Sequence, residues 1–179
     1  MMSVNFAFRV TTFALLLSVS GCVTGDWDVT DDPALPETGW TKNRVYQLQA
    51  RLFIYQYVDG KDLFLDSPRP IQTRVEPGSK EEFHEQRNQF GGDAIGVLEK
   101  GSLVRFTAIS LRRNWESGDF LKPYAQILTG QFTGRLVDLI SVSLIESAHA
   151  YTHYESARQT SMADVLRRNP KVFLPVEAK

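Results

Sequence analysis

Apolar and polar residues alternate from Val45 to Val58 with the period of a strand. Leu48, Ala50, Leu52 and Ile54 fall on one face, and Gln47, Gln49, Arg51, Phe53, Tyr55 and Tyr57 on the other. The first face is apolar throughout; the second turns from polar to aromatic along its length. Asp59-Gly60 is a dipeptide favoured in tight hairpin turns, and Asp62 to Leu65 returns as the partner strand. Proline cannot donate to a ladder, so Pro68 and Pro70 end that strand. Ile71, Thr73 and Val75 alternate again before a turn at Pro77-Gly78. Ser79 followed by Glu82 then reads as a capping box that opens a helix from Ser79 to Phe90. Phe83 and Phe90 lie seven apart on one face of that helix, and Gly91-Gly92 stops it.

Strands resume beyond the glycines. Ile95 to Leu98, Ser102 to Arg113, Tyr124 to Leu128 and Gln131 to Leu139 are separated by turns at Lys100-Gly101, Asn114 to Asp119 and Thr129-Gly130. Within the second of these, Val104, Phe106 and Ala108 share one face; Val142 and Leu144 extend the last. Ile145 to Gln159 has no clean period, Ser161 begins a short helix with Met162, Val165 and Leu166 inward, and Val172 to Val176 reads as an edge strand. Many short strands with turn signals between them predict a mainly β fold. The expectation is a small antiparallel barrel or sandwich of SH3-like size with one or two short helices.

The amino-terminal 22 residues follow a different pattern. An apolar run from Val10 to Val19 follows Arg9 and gives way to Ser20 and Gly21, then to Cys22, the single cysteine. The run is shorter than the ~20 apolar residues that a membrane-spanning helix needs. Val19-Ser20-Gly21-Cys22 resembles the lipobox of bacterial lipoproteins, although Phe6-Ala7-Phe8 precedes the one basic side chain of the leader. The resemblance implies cleavage before Cys22, a diacylglyceryl group on its sulfur and a fatty acyl chain, such as palmitate, on the new amino terminus. Val23 and Thr24 rather than Asp follow the cysteine, which in the enteric sorting scheme implies the outer membrane, facing the periplasm. The division expected is a signal peptide at 1–21, a lipidated terminus and flexible acidic linker at 22–43, and one β-rich domain at 44–179. Asp26, Asp28, Asp31, Asp32 and Glu37, with Pro33 and Pro36, predict that the linker stays extended. Trp40 is expected to lie on the domain surface beside the first strand, while Trp27 stays open between a partner or bilayer anchor and the domain surface.

Charge narrows the partners. The full chain carries 20 Lys and Arg against 21 Asp and Glu; losing the leader removes Arg9 and no acid, leaving a net charge of −2. That balance disfavours nucleic acid and an electrostatic hold on anionic lipid. With Cys22 lipidated no disulfide is possible, so the domain stands on its packed core.

Catalytic signatures are sparse. Gly-x-Ser-x-Gly, a phosphate loop, a dinucleotide fingerprint and Cys-x-x-Cys are all missing from the sequence. His84-Glu85 begins like a zinc-protease motif, but Asn88 stands where the second histidine is needed. His149 and His153, four apart, with Glu146 one turn earlier, have the spacing of a zinc site if that segment is helical. The aromatic row Phe53, Tyr55 and Tyr57, with Phe64 across the hairpin, is either a binding surface or a second buried layer beneath the helix at Ser79, the buried layer being favoured. Trp115, with Arg112 and Arg113 beside it, reads either as a protein-binding anchor or as a plug over the barrel end.

These features lead to a non-enzymatic, lipid-anchored periplasmic module that binds an envelope protein, such as an accessory subunit of an envelope machine or an immunity-type inhibitor. No cofactor or metal is expected under it. A peptidoglycan or glycan binder and a metal-dependent hydrolase using Glu146, His149 and His153 are the alternatives.

Overall fold

The computed structural model describes residues 25–57, 62–68, 76–86, 94–114, 118–143 and 162–177. Among them the strands are Gly25–Asp28 (β1), Val45–Leu48 (β2), Leu52–Gln56 (β3), Leu63–Asp66 (β4), Ala94–Leu98 (β5), Leu103–Asn114 (β6), Gly118–Ile127 (β7), Leu136–Asp138 (β8) and Phe173–Pro175 (β9). They form one sheet in the order β5-β3-β4-β8-β7-β6-β2-β9, with β1 also pairing β6. The expected mainly β architecture is present as a strongly curled open sheet, a half-barrel whose path ends at β5 and β9. Every pairing is antiparallel except β4 with β8, which meet through a single parallel pair, Phe64 with Asp138.

The alternation from Val45 onward is carried by two strands rather than one. β2 pairs β6 and β9, whereas β3 pairs β4 and β5, and Gln49-Ala50 bends the chain between them. The bend keeps the alternation in phase, so Leu48, Leu52 and Ile54 all bury on the same concave side. The expected hairpin of β3 and β4 is present, with Tyr55 opposite Phe64, while its turn at Asp59-Gly60 lies outside the described residues. In β6 the register shifts between Phe106 and Ala108, leaving Thr107 as the extra residue. A one-residue shift moves every later side chain to the other face. The core therefore receives Val104 and Phe106, then Ile109 and Leu111, instead of Ala108. Downstream, β7 starts before the expected Tyr124. The residues leading into β8 form a turn rather than strand, and Ile140–Ser143 is a helical turn (α2) where the strand was expected to continue.

Residues 25–43 are part of the domain, not an extended linker. β1 lies against β6 from Gly25 opposite Arg113 to Asp28 opposite Ser110. Past the strand, the Val29 N–H donates to the Ile109 carbonyl, and the Thr30 hydroxyl accepts from the Ile109 N–H at 2.9 Å. Leu35–Thr38 then makes a 3-10 turn that ends at Gly39, whose φ of 78° suits glycine. Trp40, expected at the surface, is 1% exposed. It stacks on Phe106 at 5.0 Å and meets Tyr46 and Phe173 edge-on at 4.9 and 5.1 Å. Of the acids that made the segment look unpackable, Asp28 and Asp32 fasten turns, to Thr30 and to the Ala34 N–H, while Asp26 pairs with Arg112 and Asp31 with Lys42.

A second layer covers the other face of β3, β4 and β5. Lys80–Glu85 (α1) is capped by Ser79, whose hydroxyl accepts from the Glu82 N–H at 3.1 Å. The Glu82 carboxylate accepts from the Gly78 N–H at 2.6 Å and from two Arg51 nitrogens at 2.6 and 3.0 Å, pinning the helix to the sheet. Phe83 then packs edge-on against Phe53. At the carboxyl-terminal end, Met162–Val165 (α3) buries Met162, Val165 and Leu166 as expected, and β9 closes that side of the sheet against β2. The Arg168 N–H donates to the Thr38 carbonyl at 2.8 Å, joining this end to the amino-terminal turn.

Candidate functional site: a groove beside a buried ion pair

Strand alternation places Leu121, Ala125 and Ile127 of β7 in the core and turns Lys122 and Tyr124 to the opposite face. β8 does the same, with Val137 and Leu139 inward and Asp138 outward. Curling brings β8 between β7 and β4, so Lys122, Asp138 and Tyr57 converge. Lys122 Nζ lies 3.1 Å from Asp138 Oδ2, with side-chain exposures of 3% and 0%. The Tyr57 hydroxyl donates to Asp138 Oδ2 at 3.2 Å and the Ile140 N–H to Oδ1 at 2.8 Å. The Lys122 ammonium also sits 5.0 and 5.7 Å from the ring centres of Tyr57 and Tyr124. Asp62, at 3.9 Å, links the cluster to solvent.

Three donors on one carboxylate are the surroundings of an ionised group. Burial alone would drive Lys122 toward neutrality, but the Asp138 carboxylate prevails and holds its pKa above the ordinary lysine value. Burial pushes the Asp138 carboxyl up, against the pull of Lys122 and the backbone and phenol donors. Burial, with Asp138 alongside, lifts the Tyr57 phenol far above its usual range. The cluster is thus an ion pair with a protonated tyrosine, satisfied within the fold.

Beside it opens a groove of about 570 Å³. Its walls are Asp62 and Leu63 at the start of β4 and Gly134, Arg135 and Leu136 leading into β8; Thr107, Ala108 and Tyr124 also line it. β4 and β8 share only the Phe64 and Asp138 pair, so the strands part ahead of that contact. The bulge at Thr107 contributes as well, turning Ala108 away from the core and into the groove. Leu136 is 54% exposed. The lining has an acid at one wall, a base at the other and apolar side chains between. Its hydroxyls are Thr107, which donates to the Tyr124 carbonyl, and Tyr124. Such a lining is suited to recognition.

The residues singled out from sequence fare unevenly. Phe53 and Tyr55 are fully buried and Phe64 nearly so, in a second buried layer with Phe83 of α1 packed on Phe53. Tyr57 is half-buried and belongs to the Asp138 cluster. Arg112 is engaged by Asp26 through two bonds of 2.8 Å. Trp115, the Arg113 side chain, Glu146, His149 and His153 lie outside the described residues, as do Cys22 and the leader. Among the described residues there is no group of three metal-ligating side chains, and no helix is long and apolar enough to cross a membrane. The groove is not legible in the sequence. Its sequence signal is a lone Lys122 and Asp138 at core-strand positions, and their meeting depends on β4 and β8 pairing across a long separation. No family model, curated protein or solved structure matches the chain.

Proposed function

We propose that this protein is a lipid-anchored, periplasm-facing module of the bacterial outer membrane that works by binding another envelope protein. The observation that carries the binding part is the groove beside Lys122 and Asp138: open, walled by opposite charges, and presenting Leu136 to solvent. An exposed leucine flanked by Arg135, with a half-buried tyrosine behind it, matches the mix of apolar contact and charge found at protein interfaces. The lipobox Val19-Ser20-Gly21-Cys22 supports the anchoring part. Glycan stacking is disfavoured because Phe53, Tyr55 and Phe64 of the aromatic row that suggested it are buried.

Capture from detergent-solubilised envelopes, with wild type and Leu136→Asp as baits, tests the reading. Wild type is expected to retain one protein at constant stoichiometry and the variant to lose it, with both baits melting at the same temperature. Equal retention by the two baits would remove the groove from the interface, and capture of glycan fragments in place of protein would overturn the reading.

A further inference from the structure

The anchor and the fold together fix which end of the domain meets the membrane. Three peptide steps separate Cys22 from Gly25, and at about 3.8 Å per step they span at most ~11 Å. Gly25 is already the first residue of β1, and it pairs with Arg113, next to the end of β6. From Gly25 onward, the segment expected to stay extended is instead folded into the sheet. Headgroup and interfacial layers are themselves ~5–8 Å deep on each side. An acylated Cys22 at headgroup level therefore leaves no room for a stalk.

We propose that the domain sits directly on the lipid surface with the β6–β7 hairpin end, Asn114 and Gly118, foremost, and with the groove directed away from the bilayer; this rests on the lipoprotein reading. The groove starts at Ala108, five residues or roughly 17 Å of strand before Arg113, and runs to Gly134, whose N–H donates to the Ile127 carbonyl where Ile127 pairs with Val104 at the far end of β6. From Arg113 to Val104 is nine residues, or roughly 30 Å of strand. Side chains agree with this orientation. Trp27, two residues beyond Gly25 and opposite Leu111, is 41% exposed, and an amphipathic indole is at home among headgroups. The consequence is that the groove meets partners arriving from the periplasm rather than neighbours in the same leaflet.

Cys22 is the single cysteine, so an introduced thiol takes a fluorophore at one place. The lipidated protein, labelled through Trp27→Cys or Gln131→Cys, is placed in phosphatidylethanolamine–phosphatidylglycerol vesicles with a spin-labelled headgroup as quencher. Quenching is expected to be several-fold stronger at position 27 than at 131. A long glycine–serine insertion between Val23 and Thr24 is expected to abolish the difference while the protein stays membrane-bound. Equal quenching at both positions without the insertion, or a difference that survives it, overturns the seating. The lipoprotein reading is checked separately by fatty-acid labelling: if Cys22→Ala labels as strongly as wild type, the anchor fails, and the seating with it.

Discussion

Lys122 and Asp138 form an ion pair at 3.1 Å in which neither side chain reaches solvent to more than 3%. The pair joins β7 to β8 at the point where β8 also touches β4, so it fixes the register from which the groove opens. Breaking such a pair by removing one member leaves a buried charge without its partner.

Lys122→Met is therefore expected to cost about 3–5 kcal/mol. The double variant Lys122→Met with Asp138→Leu is expected to recover most of that loss, because replacing a buried pair by apolar residues of similar volume is often neutral. Urea denaturation midpoints for the two singles and the double close the cycle. Singles that cost no more than the double would show that the two charges do not depend on each other.

Acid is expected to loosen the α1 layer. The Arg51 guanidinium, against the opposing effect of burial, and the Gly78 N–H hold Glu82 below its unfolded value near 4.5. A depressed carboxylate stabilises the fold above the unfolded pKa, and that contribution fades as pH falls through the folded one. Asp26, held down by Arg112, shifts in the same direction but is more exposed and counts for less. Stability should thus fall progressively below about pH 4.5. Glu82→Gln is expected to cost about 1.5–3 kcal/mol at neutral pH and to flatten the acid limb. An unchanged acid limb in that variant would place the sensitivity elsewhere.

Local signals in the sequence were sufficient for the β3–β4 hairpin and for the Ser79 cap, because strand alternation and a hydroxyl three residues before an acid act over a few residues. They were not sufficient where one residue decides between two long-range outcomes. The extra Thr107 moved Ile109 and Leu111 into the core, and nothing around it distinguishes a bulge from continued strand. The bend at Gln49-Ala50 is hidden in the sequence for a related reason: the alternation runs through it unbroken, and only the different partners of β2 and β3 reveal it. In residues 25–43 composition outweighed pattern. The acids dominate the count, yet Leu35, Thr38 and Trp40 share a spacing that buries all three, and Asp28 and Asp32 sit where side-chain turns form. The groove required β4 and β8 to meet, a contact that no local rule encodes.

Gly96 on β5 is tightly constrained. A Cβ there would lie 2.2 Å from Phe132 Cε2 and 2.5 Å from Cζ. Phe132 belongs to the turn that leads into Gly134 and Arg135 of the groove wall and packs on the core. Gly96→Ala is expected to push that ring out and cost about 1–3 kcal/mol. It should also weaken partner capture, since the displaced turn carries one wall of the groove. Phe132→Ala placed in the same background should restore part of the stability; no restoration would mean that the clash lies elsewhere on β5.

The amino-terminal segment supplies the last and most direct test. Trp40 fills the space between Phe106, Tyr46 and Phe173, and Leu35 joins the same cluster, while β1 completes the pairing of the distal half of β6. Trp40→Ala removes the largest ring of that group and is expected to cost about 3–5 kcal/mol. A fragment beginning at Thr41 loses the ring, Leu35 and the whole of β1 together. It also frees the Ile109 N–H and carbonyl from Thr30 and Val29. That fragment is expected to lack a cooperative thermal transition, whereas one beginning at Val23 should melt as the full chain does. The comparison separates two physical pictures of the same stretch. An extended tether can be cut without consequence to the fold, but a segment that contributes a strand and a core tryptophan cannot. Coincident melting curves for the two fragments would return residues 25–40 to the role of a tether and remove the basis for seating the domain on the bilayer.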